Sequence, residues 1–175
     1  MDDYKYDIFI SYAHLDDVSD ESQKGWVSQL HNSLAIQLER HLGRKPKIWR
    51  DVFFLKKNSD FEQEIQAALQ VSAMVILIVT KTFITRDWFN KEISFFEEAV
   101  ITKGGMVIEN RSRILQVYKF LMLAKERPDK LSNVTGFNFC DEESNLFSFN
   151  SREFHEAVID LANAARKTLA LLNIT

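Results

Sequence analysis

The sequence has little cysteine and little glycine. Cys140 is the only cysteine among 175 residues, which excludes an intramolecular disulfide and any zinc site built from several cysteines, and favours a cytoplasmic protein. The five glycines are scattered along the chain, at Gly25, Gly43, Gly104, Gly105 and Gly136. Neither a P-loop nor the glycine fingerprint of a dinucleotide-binding Rossmann domain is present. We therefore predict no redox dinucleotide, no P-loop ATP hydrolysis and no cofactor.

An excess of basic charge and a long apolar run are also missing. The 22 Lys and Arg residues stand against 25 Asp and Glu, for a formal net charge of -3, so the basic field of a nucleic-acid-binding protein is absent overall. No apolar run reaches the roughly 20 residues of a bilayer span. The first residues, MDDYKYD, are acidic, unlike the basic start of a signal peptide. We predict neither a nucleic-acid partner nor a membrane partner.

The composition is that of an ordinary globular protein, with 46% hydrophobic and 27% charged residues. A chain of this length can bury about two-thirds of its extended surface around one core. We find neither internal repeats nor an interdomain linker, so we predict a single domain over residues 1–175. The sequence leaves open whether a further domain, such as a sensor, follows residue 175.

Short apolar segments alternate with amphipathic ones along the chain. The apolar segments predict strands at residues 8–10, 46–50, 73–79, 114–120 and 135–140. Apolar positions that recur every three or four residues predict helices at 21–42, after Ser59, after Asp87 and after Ser151, with a further helical segment at 121–126. Alternation implies right-handed crossovers and a parallel sheet. The predicted fold is α/β and flavodoxin-like, a three-layer sandwich with strand order 2-1-3-4-5 and helices on both faces.

Ligands of such sheets bind beyond the carboxyl ends of the strands, where the strand order reverses beside strand one. That edge is built from residues 11–17, 51–59 and 80–92. A phosphoacceptor receiver domain shares the fold but needs an aspartate at the end of strand three. Here that strand ends in Val79, Thr80 and Lys81. We therefore exclude the receiver class.

Three segments at this edge resemble the Toll/interleukin-1 receptor (TIR) domains. YDIFISYAHLDD (residues 6–17) resembles the first box of the family, and IWRDVFFLKKNSDFEQEI (48–65) resembles its second strand, BB loop and following helix. DWFNKEISFF (87–96) resembles the third-helix segment that bears the glutamate of the NAD-cleaving branch. The likeness covers nearly the whole chain and implies a bacterial-type TIR domain. The enzymatic branch includes bacterial antiphage proteins and plant immune receptors.

The resemblance assigns the catalytic glutamate of its W-x-x-x-E pattern to Glu92 and the tryptophan to Trp88. A spacing of four residues puts both side chains on one helix face, about 100° away from the predicted core stripe. The resemblance also places the nucleotide against Phe61 and the BB loop, residues 51–58, and leaves open which subunit supplies Phe61. The further substrate-binding residues predicted at this edge are Ser11, Tyr12, His14, Arg50, Asp51 and Leu55.

One carboxylate suffices for this chemistry, because nicotinamide leaves NAD+ as a neutral base and needs no general acid. Ordinary glycosidases need two carboxylates because their leaving oxygen must be protonated. Glu92 is expected to hold the ribose hydroxyls and stabilise the oxocarbenium-like charge, with Trp88 packed against the nicotinamide or its ribose. NAD+ is then a substrate, and no metal is predicted.

The sequence departs from the family at two positions. The enzymatic animal relative has basic residues after the first-box tyrosine, whereas here Tyr12 is followed by Ala13 and His14. Phosphate contacts are therefore assigned to Arg50 or His14. The BB loop has Asn58 where glycine is common, and asparagine tolerates left-handed backbone angles better than most residues.

Several polar residues have simpler interpretations. Asp16 and Asp17 could suggest a metal pair, but acidic residues in a loop before a helix are expected to face solvent. His31, His41 and His155 fall on predicted helices and are expected to be solvated.

The sequence supports two functions of different class. The first is an NAD+ glycohydrolase or cyclase, giving nicotinamide and ADP-ribose or a cyclic isomer, in bacterial antiphage defence. The alternative is a non-catalytic TIR scaffold or adaptor that acts through homotypic TIR contacts made by the BB loop. The W-x-x-x-E pattern favours the enzyme, since a scaffold needs no carboxylate in a cleft. A third and weaker reading is nucleoside glycosyl transfer on a related fold.

Overall fold

The computed structural model describes residues 4–19, 23–50, 59–86 and 88–174, with backbone alone at 59–61 and 88. Seven strands are described: β1 Tyr6–Ser11, β2 Ile48–Arg50, β3 Ser72–Val79, β4 Val107–Ile108, β5 Arg111–Ser112, β6 Ile114–Tyr118 and β7 Gly136–Asn138. The α-helices are α1 Trp26–Leu42, α2 Ser59–Gln70, α3 Lys81–Ile84, α4 Trp88–Val100 and α5 Arg152–Leu171. Short 3-10 helices cover His14–Asp17, Ile101–Lys103, Ala124–Glu126 and Asp129–Leu131.

The main sheet has five strands in the order β2-β1-β3-β6-β7, and every neighbouring pair is parallel. The small hairpin β4–β5 is not part of this sheet, so β6 and β7 are the fourth and fifth strands of the prediction. The observed order is therefore the predicted order 2-1-3-4-5, with helices on both faces. The flavodoxin-like prediction is confirmed. The edge position of the last strand is confirmed as well, since β6 is the partner of β7 among the described strands.

The central strand β3 is buried along its whole length. Its alternate side chains serve two cores: Ile76 and Ile78 pack in the layer of α1 and α5, whereas Val75 and Leu77 pack in the layer of α2 and α4. A strand covered on both faces gains nothing from alternating polar residues. This explains the uninterrupted apolar run in the sequence.

Several boundaries differ from the prediction. Helix α1 begins at Trp26 and not at residue 21, because Gly25 is extended, with φ -57° and ψ 156°. The fourth and fifth predicted strands correspond to β6 and β7. They end at Tyr118 and Asn138, before the predicted residues 120 and 140. Of the helical segment expected at 121–126, only the second half is helical, as the 3-10 helix Ala124–Glu126.

Two local elements were not predicted. The hairpin β4–β5 turns at Glu109 and Asn110, both with positive φ, 46° and 65°, as a tight hairpin turn requires. The one-turn helix α3, Lys81–Ile84, is capped by Thr80, whose side chain accepts a hydrogen bond from the Phe83 amide. None of the described helices combines the length and apolar character needed to cross a bilayer.

Helix α1 provides a matched pair of residues for testing the core. Leu34 is fully buried between the layers, whereas Ile36, two residues on, is 54% exposed. We expect Leu34→Ala to lower the free energy of unfolding by about 2–5 kcal/mol, the cost of a lost side chain and the cavity it leaves. Ile36→Ala should cost less than about 1 kcal/mol. Urea denaturation measures both, and equal losses would contradict the described packing of α1.

Candidate functional site

Glu92 lies on α4 at the carboxyl edge of the sheet, and it is only 4% exposed. Its Oε2 accepts a hydrogen bond from the Ser11 hydroxyl at the end of β1. Ser11 is buried too. This contact therefore joins the end of β1 to residues 80–92, one of the three segments predicted to build the edge. The structure thus brings together two of the residues predicted from the sequence.

Arg86 is a site residue that sequence reasoning missed. Its Nη2 lies 3.6 Å from Glu92 Oε2, and its Nη1 donates a 3.1 Å hydrogen bond to the Tyr12 carbonyl. The guanidinium also lies over the Phe83 ring, 4.6 Å from its centroid. Arg86 precedes α4, outside the helical spacing that links Trp88 to Glu92. No periodicity in the sequence could therefore point to it.

A cleft of about 590 Å³ opens on the β1–β2 side of the same edge. Three predicted substrate-binding residues line it, namely Tyr12, His14 and Arg50. Its other lining residues are Asp17, Val18, Ser19, Lys24, Gly25, Ser28 and Asn32. Glu92 does not line this cleft, but Tyr12 connects the two places because its carbonyl binds Arg86, the neighbour of Glu92.

Arg50 is held in the cleft by Asp17, with Nη1 and Oδ2 2.8 Å apart. The Asp17 carboxylate also accepts hydrogen bonds from the Ser28 amide and hydroxyl, at 2.6 Å and 2.8 Å. The expectation that Asp17 faces solvent is therefore wrong. Gly25 makes this approach possible, since a Cβ there would stand 2.2 Å from the Asp17 carbonyl oxygen.

Asp16 was also expected to face solvent, and it is 6% exposed. Its Oδ2 accepts a 2.8 Å hydrogen bond from Thr80, and its Oδ1 lies 3.4 Å from Lys119 Nζ. Thr80 follows β3 and Lys119 follows β6, so one carboxylate joins the ends of three strands. A buried charge needs such partners, and these residues meet only in the folded chain.

His31 on α1 is half-buried beside the Arg50–Asp17 pair, so its predicted solvation is wrong. Burial lowers the pKa of His31, the Arg50 charge lowers it further, and the Asp17 carboxylate opposes both. His41 and His155 are exposed as expected. Within the described ranges, no group of three or more His, Cys, Asp or Glu side chains could hold a metal ion.

Some predicted site residues lie outside the described part of the chain. These are Asp51 and Leu55 with the rest of residues 51–58, and the side chains of Phe61 and Trp88. The backbone places Trp88 at the first residue of α4, one turn before Glu92, and Phe61 in the first turn of α2. Substrate-binding roles for these four residues stay predictions.

The fold and the edge define a doubly wound α/β domain with a paired, buried carboxylate beside a polar cleft. The sequence model of the TIR domain family matches residues 8–146. The chain therefore belongs to the TIR domain family. The match includes most of β1, the residues that line the cleft and α4, so the residues predicted for the site lie within the matched range.

One similar solved structure is that of the TIR domains in the activated Roq1 resistosome directly recognising the pathogen effector XopQ. The sequences are 20% identical, the comparison covers 91% of this chain and 84% of that one, and the TM-score is 0.45. No curated protein sequence matches the chain significantly.

The lowered pKa of His31 leads us to predict that the stability of the protein depends on pH. Its pKa is lowered in the folded state, so the unfolded chain binds more protons as the pH falls through the ordinary histidine range. The His31 contribution to stability is complete above that range and declines below it. We expect the free energy of unfolding to fall less for His31→Gln than for the unaltered chain between about pH 7.5 and about pH 5.5.

The control for this prediction is His155→Gln, because His155 is exposed. Urea denaturation at the two pH values compares all three proteins. A pH dependence that is the same with and without His31 would contradict the prediction.

Proposed function

We propose that this TIR domain cleaves NAD+ at the bond between nicotinamide and ribose. The observation that supports the proposal is the placement of Glu92, a carboxylate held at the carboxyl edge by Ser11 and Arg86 and next to the cleft. The same glutamate is the one that the W-x-x-x-E pattern assigns.

The proposed reaction needs one carboxylate and no general acid. The C1′–N bond breaks, its electron pair passes to the nicotinamide nitrogen, and the ring leaves neutral. Glu92 binds the ribose hydroxyls and stabilises the positive charge that develops on the ribose. Water then adds to C1′ and releases a proton, giving ADP-ribose, or an adenine nitrogen of the same molecule adds and gives a cyclic isomer.

The cleft suits the remainder of the nucleotide. Its volume of about 590 Å³ falls within the range of small-molecule sites, about 300–1,000 Å³. The basic side chains of His14, Lys24 and Arg50 line it and can attract a diphosphate. Since Tyr12 lies between the cleft and the surroundings of Glu92, an extended dinucleotide would reach both. Trp88, Phe61, Asp51 and Leu55 complete the proposed site.

The first test is nicotinamide release by Glu92→Gln, which removes the charge and keeps the shape. We expect the rate to fall by about 100-fold or more, as for the loss of one preorganised electrostatic group. Glu97→Gln is the matched control, an exposed glutamate on the same helix. The assay uses concentrated protein, and chromatography separates ADP-ribose from cyclic products.

The two variants distinguish an NAD+-cleaving enzyme from a non-catalytic scaffold. Loss of release in Glu92→Gln with normal release in Glu97→Gln supports the enzyme and identifies its product class. Absence of release from the folded, unaltered chain at every concentration would contradict it and favour the scaffold. Cleavage of a free nucleoside in place of NAD+ would favour the third chemistry. The proposed setting is bacterial antiphage defence in the cytoplasm, by NAD+ depletion or by a cyclic signal.

Self-association is the second proposed property, and a groove of about 360 Å³ beside the edge strand supports it. Phe137, Phe147 and Ala157 form its apolar part, and Gly136 and Asn138 of β7 also line it. Three acidic residues of α5 are on its lining as well: Glu153, Glu156 and Asp160. The BB loop of the same chain carries the adjacent basic residues Lys56 and Lys57. Opposite charges on two parts of one chain suit head-to-tail assembly of identical copies.

Charge reversal tests this assembly. The double variant Glu153→Lys/Asp160→Lys should weaken self-association by about tenfold or more, because the groove then repels the basic loop. Adding Lys56→Glu/Lys57→Glu should restore part of it. The control is Glu39→Lys, an exposed position on α1, and sedimentation velocity over a concentration series is the measurement. Unchanged association in the first variant would refute this surface.

A further inference from the structure

The Arg86 guanidinium is a largely buried cation beside Glu92. Its Nη2 lies 3.6 Å from Glu92 Oε2, and both Nε and Nη2 are buried without a hydrogen-bond acceptor in the described part of the chain. Because 3.6 Å is too long for a hydrogen bond, the two side chains interact through their charges. The Glu92 side chain is only 5% exposed, so little water screens that interaction.

The position of Arg86 is fixed by contacts other than Glu92. Its Nη1 donates a 3.1 Å hydrogen bond to the Tyr12 carbonyl, and the guanidinium lies over the Phe83 ring. Phe83 is fully buried and packs edge to face against Phe89 of α4. The backbone after β1 and the core therefore hold this cation at a set place next to the carboxylate.

Other charged groups on the elements around Glu92 are paired with one another. Asp16, in the 3-10 helix after β1, lies 3.4 Å from Lys119 Nζ. On the outer side, Glu62 of α2 lies 4.0 Å from Lys91 of α4, and both side chains are exposed. The guanidinium thus supplies positive charge at the carboxylate, while Asp16 adds a second buried anion to the same edge.

The electrostatic interaction between Arg86 and Glu92 acts on both groups. Burial lowers the pKa of Arg86, while the Glu92 carboxylate and, after it, that of Asp16 oppose the shift. A buried carboxyl group favours its neutral form unless a cation lies close to it. Coupling between two ionisable groups is mutual, and an arginine stays cationic over the whole pH range in which enzymes work. The guanidinium therefore favours the charged form of Glu92.

We propose that Arg86 is a positioning residue that keeps Glu92 ionised, and so sets the acidic limit of the pH range in which NAD+ is cleaved. This inference rests on the proposed function, in which Glu92 acts as an anion. Arg86 is not among the residues that line the cleft. Its effect on the reaction is therefore exerted through Glu92 and not through contact with the substrate.

Two substitutions separate the charge of Arg86 from its other contacts. Arg86→Gln removes the charge and keeps a neutral donor for the Tyr12 carbonyl, whereas Arg86→Lys keeps the charge. Arg111→Gln, at an exposed position on β5, removes a positive charge elsewhere and is the control. The measurement is kcat/KM for NAD+ from about pH 5 to about pH 9. Circular dichroism establishes that each protein is folded over that range.

We expect Arg86→Gln to move the acidic pH of half-maximal kcat/KM upward by about 1–3 units, since Glu92 then takes up a proton at higher pH. Arg86→Lys should move it by less than about one unit, and Arg111→Gln should not move it. A loss of rate by the same factor at every pH would overturn the inference, because Arg86 would then only support the structure. An unmoved limit, or equal shifts with glutamine and lysine, would also overturn it.

A stability cycle tests the pairing without any catalysis. Glu92→Gln is made in the unaltered chain, where it leaves a buried cation unpaired, and in Arg86→Gln, where it removes an unpaired carboxylate. We expect its effect on the unfolding temperature to be more favourable in the second background by about 3 °C or more. Glu97→Gln, an exposed control on α4, should act equally in both. If Arg86→Gln does not fold, recovery of folding by the added Glu92→Gln supports the pairing, and its failure refutes it.

The cycle also separates this inference from the proposed function. If the unaltered chain does not cleave NAD+, the proposed function fails, and the unfolding temperatures alone then decide whether Arg86 maintains the charge of Glu92. The same effect of Glu92→Gln in both backgrounds would refute that role. If NAD+ is cleaved and the acidic limit does not depend on Arg86, the enzyme stands and the inference fails.

Discussion

The carboxyl edge of the sheet in this TIR domain depends on buried carboxylates that the fold has to pair. Glu92 and Asp16 are each less than a tenth exposed, and an unpaired charge at that depth is strongly unfavourable. The partners of Glu92 are Ser11 and Arg86. The partners of Asp16 are Thr80 and Lys119. Because each carboxylate takes its partners from different segments of the chain, pairing the charges also sets the relative positions of those segments at this edge.

Packing supplies the frame for these pairs. The helices bury both faces of the sheet, so β3 is apolar from Ala73 to Val79, and the strands beside it are parallel to it. Parallel strands bring their carboxyl ends to one edge, where polar loops gather. The Asp17–Arg50 pair and the Ser28 donors then shape the cleft on one side of Tyr12, while Arg86 and Glu92 occupy the other. The contacts that stabilise this edge therefore also shape the cleft.

Much of this was predictable from residues alone. Apolar runs and helical periodicity correctly indicated the five-stranded sheet and its order, and the motif at 87–96 indicated Glu92. The predictions failed where an outcome depended on contacts between distant segments. Asp16, Asp17 and His31 were expected in solvent, yet each packs against residues from another element. The β4–β5 hairpin was missed because its strands are two residues long and leave no periodic signal.

The sequence by itself determined the class of fold, the family and the position of the candidate carboxylate, because periodicity and short motifs are local properties of the chain. Tertiary structure decided which charges meet. Arg86 lies six residues before Glu92 and outside its helix, so only the path of the chain before α4 brings the two within 3.6 Å. The pairing of charges depends on distance and burial in space, and neither quantity can be read from positions along the sequence.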